Sequence, residues 1–214
     1  MKKIIFIFMI LSFIFAVSCS SKTSSETNTH ANHHNMEGSD IISLMHAPMM
    51  EQPFEKTANI DIDFLANMIP HHKGAILSSQ KLLETTSNQT LINLANNIIT
   101  SQEAEVAEFT DLIKELEAKN TSYEDIDTVS IGNDMENIMN KMMADMSSIE
   151  AAADNDIDFL KGMIPHHQGA VDVSKKILEY TKDEKIKEIA NRIISAQEKE
   201  ISDMNNLLST LTNN

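Results

Sequence analysis

The sequence predicts an all-α protein, a four-helix bundle assembled from two tandem helix-pair repeats with extra short Met-rich helices. Three observations carry this. Asp61–Leu116 aligns without a gap on Asp156–Leu211, and 26 of the 56 aligned positions are identical. A match that long and ungapped is the signature of a duplicated structural unit. Within each copy the apolar residues recur at helical spacing. Only five glycines and four prolines occur in 214 residues, so little in the chain interrupts helices.

The first 18 residues read as an export signal rather than as part of the fold. Lys2 and Lys3 form a basic start, and Ile4 to Phe15 an apolar run too short for a comfortable membrane span. Ala16-Val17-Ser18-Cys19 then resembles a bacterial lipobox, with Cys19 as the lipidated first residue of the mature chain. Cys19 is the sole cysteine, so this exported chain makes no internal disulfide. Residues 19–39 are polar and Ser/Thr/Asn-rich, the composition of a flexible tether. The tether carries His30, His33, His34 and Met36, a set that could capture Cu(II) or Zn or could be a chance cluster.

Repeat 1 spans 40–118. It opens on Met45-His46-Ala47-Pro48-Met49-Met50, a Met-rich segment. Its first long helix shows Leu65, Met68, Ile69, Ala75, Ile76, Leu82 and Leu83 on an apolar stripe, with Asp61 or Asp63 as the expected N-cap. Thr85–Gln89 forms the turn. The second helix carries Leu91, Leu94, Ala95, Ile98, Ile99, Val106, Phe109, Leu112, Ile113 and Leu116. A linker, 119–130, leads to repeat 2 at 131–214. There Ile131–Ile149 has a helical stripe built from Met135, Met139, Met142 and Met146, with Met143 beside it. The helix pair follows, from Asp158 to about Tyr180 and from about Asp183 to Leu211. The two repeats are expected to form one bundle domain.

Candidate chemistry sits on the first helix of each pair. Met68, His71 and His72 share one turn, as do Met163, His166 and His167. A thioether and two imidazoles so placed can converge on one ion. Pro70 and Pro165 lie inside these helices and suggest a local kink. Gly74 and Gly169, four residues on, allow close approach of a neighbour. The second helices place Gln102, Glu105, Gln197 and Glu200 on the core face, where polar groups need partners. The facing histidines can supply them, so a structural hydrogen-bond network and a metal site both fit. The methionines of the Met-rich segments (Met45, Met49, Met142, Met143 and Met146, with His46) read either as flexible core filling or as further ligands. Soft thioethers select Cu(I), and imidazole also suits copper or zinc.

Composition excludes other classes. Without Lys2 and Lys3 the mature chain holds 15 basic residues against 32 acidic, a net charge of −17. Nucleic-acid phosphates need a basic surface, so no such partner is expected. The chain lacks the Glu-x-x-His of di-iron bundles. It also lacks a phosphate loop, a nucleophile elbow, Cys-x-x-Cys and His-Glu-x-x-His. No enzyme activity is expected.

The Asp-x-Asp-Phe-Leu-x-x-Met-Ile-Pro-His-His-x-Gly-Ala block, followed by Ile-Ile-x-x-Gln-Glu-x-Glu, resembles the family called domain of unknown function 305. The resemblance covers roughly residues 44–211. It implies an exported bacterial protein with a ferritin-like four-helix fold, akin to periplasmic copper-binding proteins of the CopM type. It implies Met68, His71, His72, Met163, His166 and His167 as ligand candidates, with the Met-rich helices adding more. The expected function is a lipid-anchored cell-envelope protein, periplasm-facing or on the outer membrane, that binds copper, most simply Cu(I), for buffering, transfer or resistance. Its expected partners are a metal ion, the membrane through the lipid, and a copper-handling protein. A metal-free structural module and a metal-dependent redox protein are the alternatives. Spacing leaves open whether the two histidine pairs share one site or form two.

Overall fold

The computed structural model describes residues 40–119 and 123–213; the expected signal peptide, Cys19, His30, His33, His34 and Met36 lie outside them. Six helices follow in order: α1 (Asp40–Glu51), α2 (Ile60–Leu83), α3 (Gln89–Lys119), α4 (Thr128–Ser147), α5 (Asn155–Leu178) and α6 (Glu184–Thr212). The expected four-helix bundle is α2, α3, α5 and α6. α1 and α4 are the Met-rich helices, and α4, at 20 residues, covers nearly the expected stretch Ile131–Ile149, shifted slightly toward the N-terminus.

α2 and α5 start at equivalent places with equivalent devices. The N-caps are Asn59 and Asp154, not Asp61 or Asp63, and each side chain accepts from the two backbone N–H groups that follow its neighbour. The residue before each cap, Ala58 and Ala153, takes a positive φ of 68° and 58°, a conformation unusual for alanine. Asp63 instead accepts from the N–H and hydroxyl of Thr57 at 2.6 and 2.7 Å, pinning the loop that leads into α2. Asp158 does the same for the Ala152 N–H at 2.6 Å. Both helices continue through their prolines, Pro70 and Pro165.

Each repeat folds as a hairpin, α2 against α3 and α5 against α6. The hairpins meet through α2 and α5, which run antiparallel. Asn155 at the start of α5 donates to the Thr85 hydroxyl just past the end of α2, at 3.2 Å. At the other end, Thr181 after α5 donates to Asp61 at 2.6 Å, and the Tyr123 hydroxyl donates to the same carboxylate. Burial pushes Asp61 above the usual carboxylate range, against the effect of those two hydrogen bonds. Burial and the neighbouring Asp61 push the Tyr123 phenol up to about 12.

Packing is apolar through Phe64, Phe109, Phe159, Leu65, Leu160, Ile98 and Ile193. α1 packs on α2 and crosses to α5, while α4 packs on α5 and reaches α2. Gly74 and Gly169 permit this closeness. A Cβ on Gly74 would lie 2.1 Å from the Met45 carbonyl oxygen, and one on Gly169 2.6 Å from the Met142 Sδ. None of the described helices is long and apolar enough to cross a membrane.

Candidate metal centre

His71, His72, His166 and His167 all lie at the midpoints of α2 and α5, where the two antiparallel helices face each other. All four are fully buried. The two residues of each pair point different ways, as their 100° separation around the helix requires. His71 and His166 meet across the pseudo-twofold, with ring centroids 3.7 Å apart and planes at 34°. His72 and His167 turn instead toward the second helix of their own hairpin. His72 Nε2 lies 2.9 Å from Glu105 and His167 Nε2 2.8 Å from Glu200. The pairs are linked by proximity, with centroids 5.9 Å apart for His71–His72 and 6.1 Å for His166–His167. One contiguous histidine layer therefore spans the middle of the bundle.

The hydrogen bonds determine which ring nitrogens remain available. His71 Nε2 donates to the His166 carbonyl at 3.0 Å. A carbonyl or a carboxylate only accepts, so Nε2 carries the proton in His71, His72 and His167. The Nδ1 atoms of all three are buried with no hydrogen-bond partner, and His166 has no partner at either nitrogen. Burial holds His71 well below the ordinary imidazole range, and the His72 and His167 rings reinforce this. His166 is lowered likewise by burial, then by His71, His167, His72 and His46. These two rings are therefore neutral, each keeping a lone pair. Leaving buried polar atoms unsatisfied costs on the order of 1–3 kcal/mol apiece. These imidazole nitrogens are the positions at which a further hydrogen-bond partner or a metal could be held.

The expected Gln/Glu partners divide in two. Glu105 and Glu200 hold histidines, but Gln102 and Gln197, also buried, have unpartnered Oε1 atoms. Ser79 and Ser174, another equivalent pair, carry buried hydroxyls without partners. Spacing put Ser79 on the apolar stripe of its helix, with Ser174 as its counterpart, but gave neither a role. Nor did it reveal Arg192, which reaches from α6 to Glu105 at 3.3 Å and to Glu108. Burial would raise Glu105, but the His72 and Arg192 contacts outweigh it and leave the carboxyl lowered. The equivalent position in repeat 1 is Asn97, and this break in the repeat was the available signal.

The methionines are distributed unevenly. Met45, Met68, Met142, Met146 and Met163 are buried, and Met49 and Met143 are half-buried. His46 is buried beside Met45, its Nε2 unpartnered and its pKa lowered by burial. Met49 and Met143, with Met50 and Met139, line a cavity of about 300 Å³ bounded by α1, α2 and α4. Among the described residues no three His, Cys, Asp or Glu side chains gather as a metal-binding group.

Two overlapping stretches, 17–113 and 61–208, match the family described as Domain of unknown function (DUF305). The chain belongs to that family. The double match restates the duplication. An uncharacterized protein of Acanthamoeba polyphaga mimivirus is 48% identical over 54 residues, 25% of this chain and 36% of that protein. The chain thus spans about a third of that relative's length. Among solved structures, CopM in the Ag-bound form (by soaking) superposes with a TM-score of 0.53 at 25% identity, covering 70% of this chain and 95% of CopM. CopM in the Cu(II)-bound form gives 0.54 at 23% identity, covering 71% and 97%. The chain thus shares its fold with CopM over about seven tenths of its length.

Proposed function

We propose that this DUF305 protein is a cell-envelope lipoprotein that binds copper, as Cu(I), through methionine and histidine, and buffers it or hands it on without turnover. The observation that carries the reading is the set of buried imidazole nitrogens left without partners while Nε2 of the same rings is held by a carboxylate or a carbonyl. Metal-binding histidines characteristically donate their other N–H to such a group, which orients the ring and raises ligand basicity. His71, His72, His166 and His167 would supply nitrogen, and the buried methionines the soft sulfur that favours Cu(I). CopM, solved in an Ag-bound and a Cu(II)-bound form, shares the fold and supports copper as the metal. The lipid anchor at Cys19 rests on the lipobox, and a copper-handling partner on the transfer role.

The test is Cu(I) titration against a chromogenic chelator. The protein is expected to compete, and replacing all four core histidines is expected to abolish competition. Failure to compete, or unchanged affinity in the variant, overturns the proposal. The second reading is a metal-free structural module, favoured by the His72–Glu105 and His167–Glu200 hydrogen bonds. Thermal melts separate the two, because a ligand bound only by the native state must raise the midpoint.

A further inference from the structure

Resting on the copper-binding reading, we infer that the ion enters and leaves the histidine layer at its His167–Glu200 end, across the seam between α3 and α6, and that Arg192 seals the His72–Glu105 end. The duplication gives both ends the same inner parts. In each, a histidine Nε2 donates to a glutamate Oε2, His72 to Glu105 at 2.9 Å and His167 to Glu200 at 2.8 Å. The two glutamate side chains are exposed to nearly the same degree, 14% and 19%. What differs is the residue standing outside each.

Outside Glu105 stands a guanidinium from the opposite hairpin. Arg192 Nε donates to Glu105 Oε1 at 3.3 Å, and Arg192 Nη2 donates to Glu108. Glu105 is thereby held from both sides, by the imidazole within and the cation without. A shift of 95 residues puts Asn97 in the place of Arg192 and Asp203 in the place of Glu108. Asn97 is exposed and uncharged. Among the described residues no lysine or arginine forms an ion pair with Glu200, and its neighbour Lys199 pairs instead with Asp203 at 2.6 Å, a solvent-exposed contact that water weakens.

The seam as a whole follows the same division. Past Glu105, Lys185 donates to Glu115 at 2.8 Å and Lys119 pairs with Asp183 at 3.6 Å, so with Arg192 three basic side chains tie α3 to α6. On the other side of the layer, among the described residues, no ion pair crosses. There a cavity of about 440 Å³ opens between the two helices, with Asn97 and Asp203 in its wall. Glu200 lies one turn from Asp203 along α6. The tied half keeps a cavity of about 270 Å³, but Arg192 and Lys185 both line it. A cation approaching there meets fixed positive charge, whereas at the open half it meets the Asp203 and Glu200 carboxylates. Arginine keeps its charge at any working pH, so the seal does not titrate away.

Two measurements on the full-length protein test this, the first without metal. With histidine labelled for NMR, exchange of the ring Nε2 proton with water reports how open each end is. His167 is expected to exchange about tenfold faster than His72. Asn97→Arg, which rebuilds the clamp over Glu200 and Asp203, is expected to slow His167 to the rate of His72, and Arg192→Asn to quicken His72. In the second, the loaded protein gives up Cu(I) to an excess of chromogenic chelator. Asn97→Arg is expected to slow release by about tenfold while leaving the equilibrium affinity within about threefold, because it blocks the path and touches no ligand. Melts confirm that each variant folds, and Asn97→Arg, at an exposed position, suffices alone if Arg192→Asn does not. Equal exchange of the two rings in the wild type overturns the inference. So does release that Asn97→Arg leaves unchanged, or an affinity that falls as far as the rate. If the wild-type protein binds no Cu(I), the copper reading beneath the inference fails, and the ring-proton rates still decide which end is open.

Discussion

A methyl group on Gly74 would meet the Met45 carbonyl oxygen at 2.1 Å, a distance that no side-chain rotation can relieve because the obstacle is backbone. Gly132 in α4 offers the contrast: its added Cβ would meet the Lys56 Cγ at 3.2 Å, on an aliphatic stem that need give only a few tenths of an ångström while its Nζ stays on Asn133 and Glu136. Gly74→Ala is therefore expected to destabilise by about 1–3 kcal/mol, the range for overpacking. Gly132→Ala is expected to be neutral or stabilising by up to about 1 kcal/mol, since alanine restricts the unfolded chain. Urea unfolding of the metal-free protein measures both, and equal losses would contradict the packing argument. The importance of Gly74 was legible in the sequence, where it follows Pro70 and the histidines. The identity of its neighbour was not, because α1 lies some thirty residues upstream and nothing in the letters says which face it covers.

At the scale of elements, the hairpins depend on how α2 and α5 begin. Asn59 and Asp154 cap these helices with side-chain oxygens aimed at the following N–H groups. Asn59→Ala and Asp154→Ala are each expected to cost about 1 kcal/mol. The caps belong to opposite repeats and start different helices, so the losses should add in the double variant. Denaturant melts that showed the pair to be strongly non-additive would mean that the two helix starts unfold together. Sequence reading put the cap two to four residues late in repeat 1, at Asp61 or Asp63. The reason is physical: several Asp and Asn residues stand in a row, all of them able to cap, and only the loop geometry chooses among them. Asp63 was recruited to hold Thr57 and Asp61 to hold Thr181, so neither was left for the helix end.

At the scale of the whole molecule, the histidine layer links folding to pH. His71 and His166 have folded-state pKa values well below the ordinary 6.5. The unfolded chain binds protons at these positions before the native state does, so stability is full above about pH 6.5 and falls as the pH drops below it. Asp61 and Asp63, raised by burial from 3.8, act in the opposite sense and at lower pH. The melting temperature of the metal-free protein is therefore expected to decline from pH 7.5 to 5.5. The decline should be shallower once His71 and His166 are both replaced by asparagine. A flat profile in the wild type would show that the layer is not buried and neutral as described.

What the sequence alone determined is whatever depends on local periodicity and on comparison of the chain with itself. The duplication, the four long helices, the Met-rich helices and the placement of Gln102, Glu105, Gln197 and Glu200 on the core face opposite the histidines all follow from 3.6-residue spacing and the 95-residue offset. Tertiary structure alone decided how the two halves meet. The antiparallel crossing of α2 and α5 brings His71 onto His166, and the path of α1 sets Met45 against Gly162 in the other repeat. It also joins Arg192 to Glu105 and Tyr123 to Asp61. Periodicity states which side of a helix is apolar, but two helices with similar apolar sides can dock in many ways. The choice among them is made by the summed packing of side chains distant in sequence, and that sum exists only once the chain has folded.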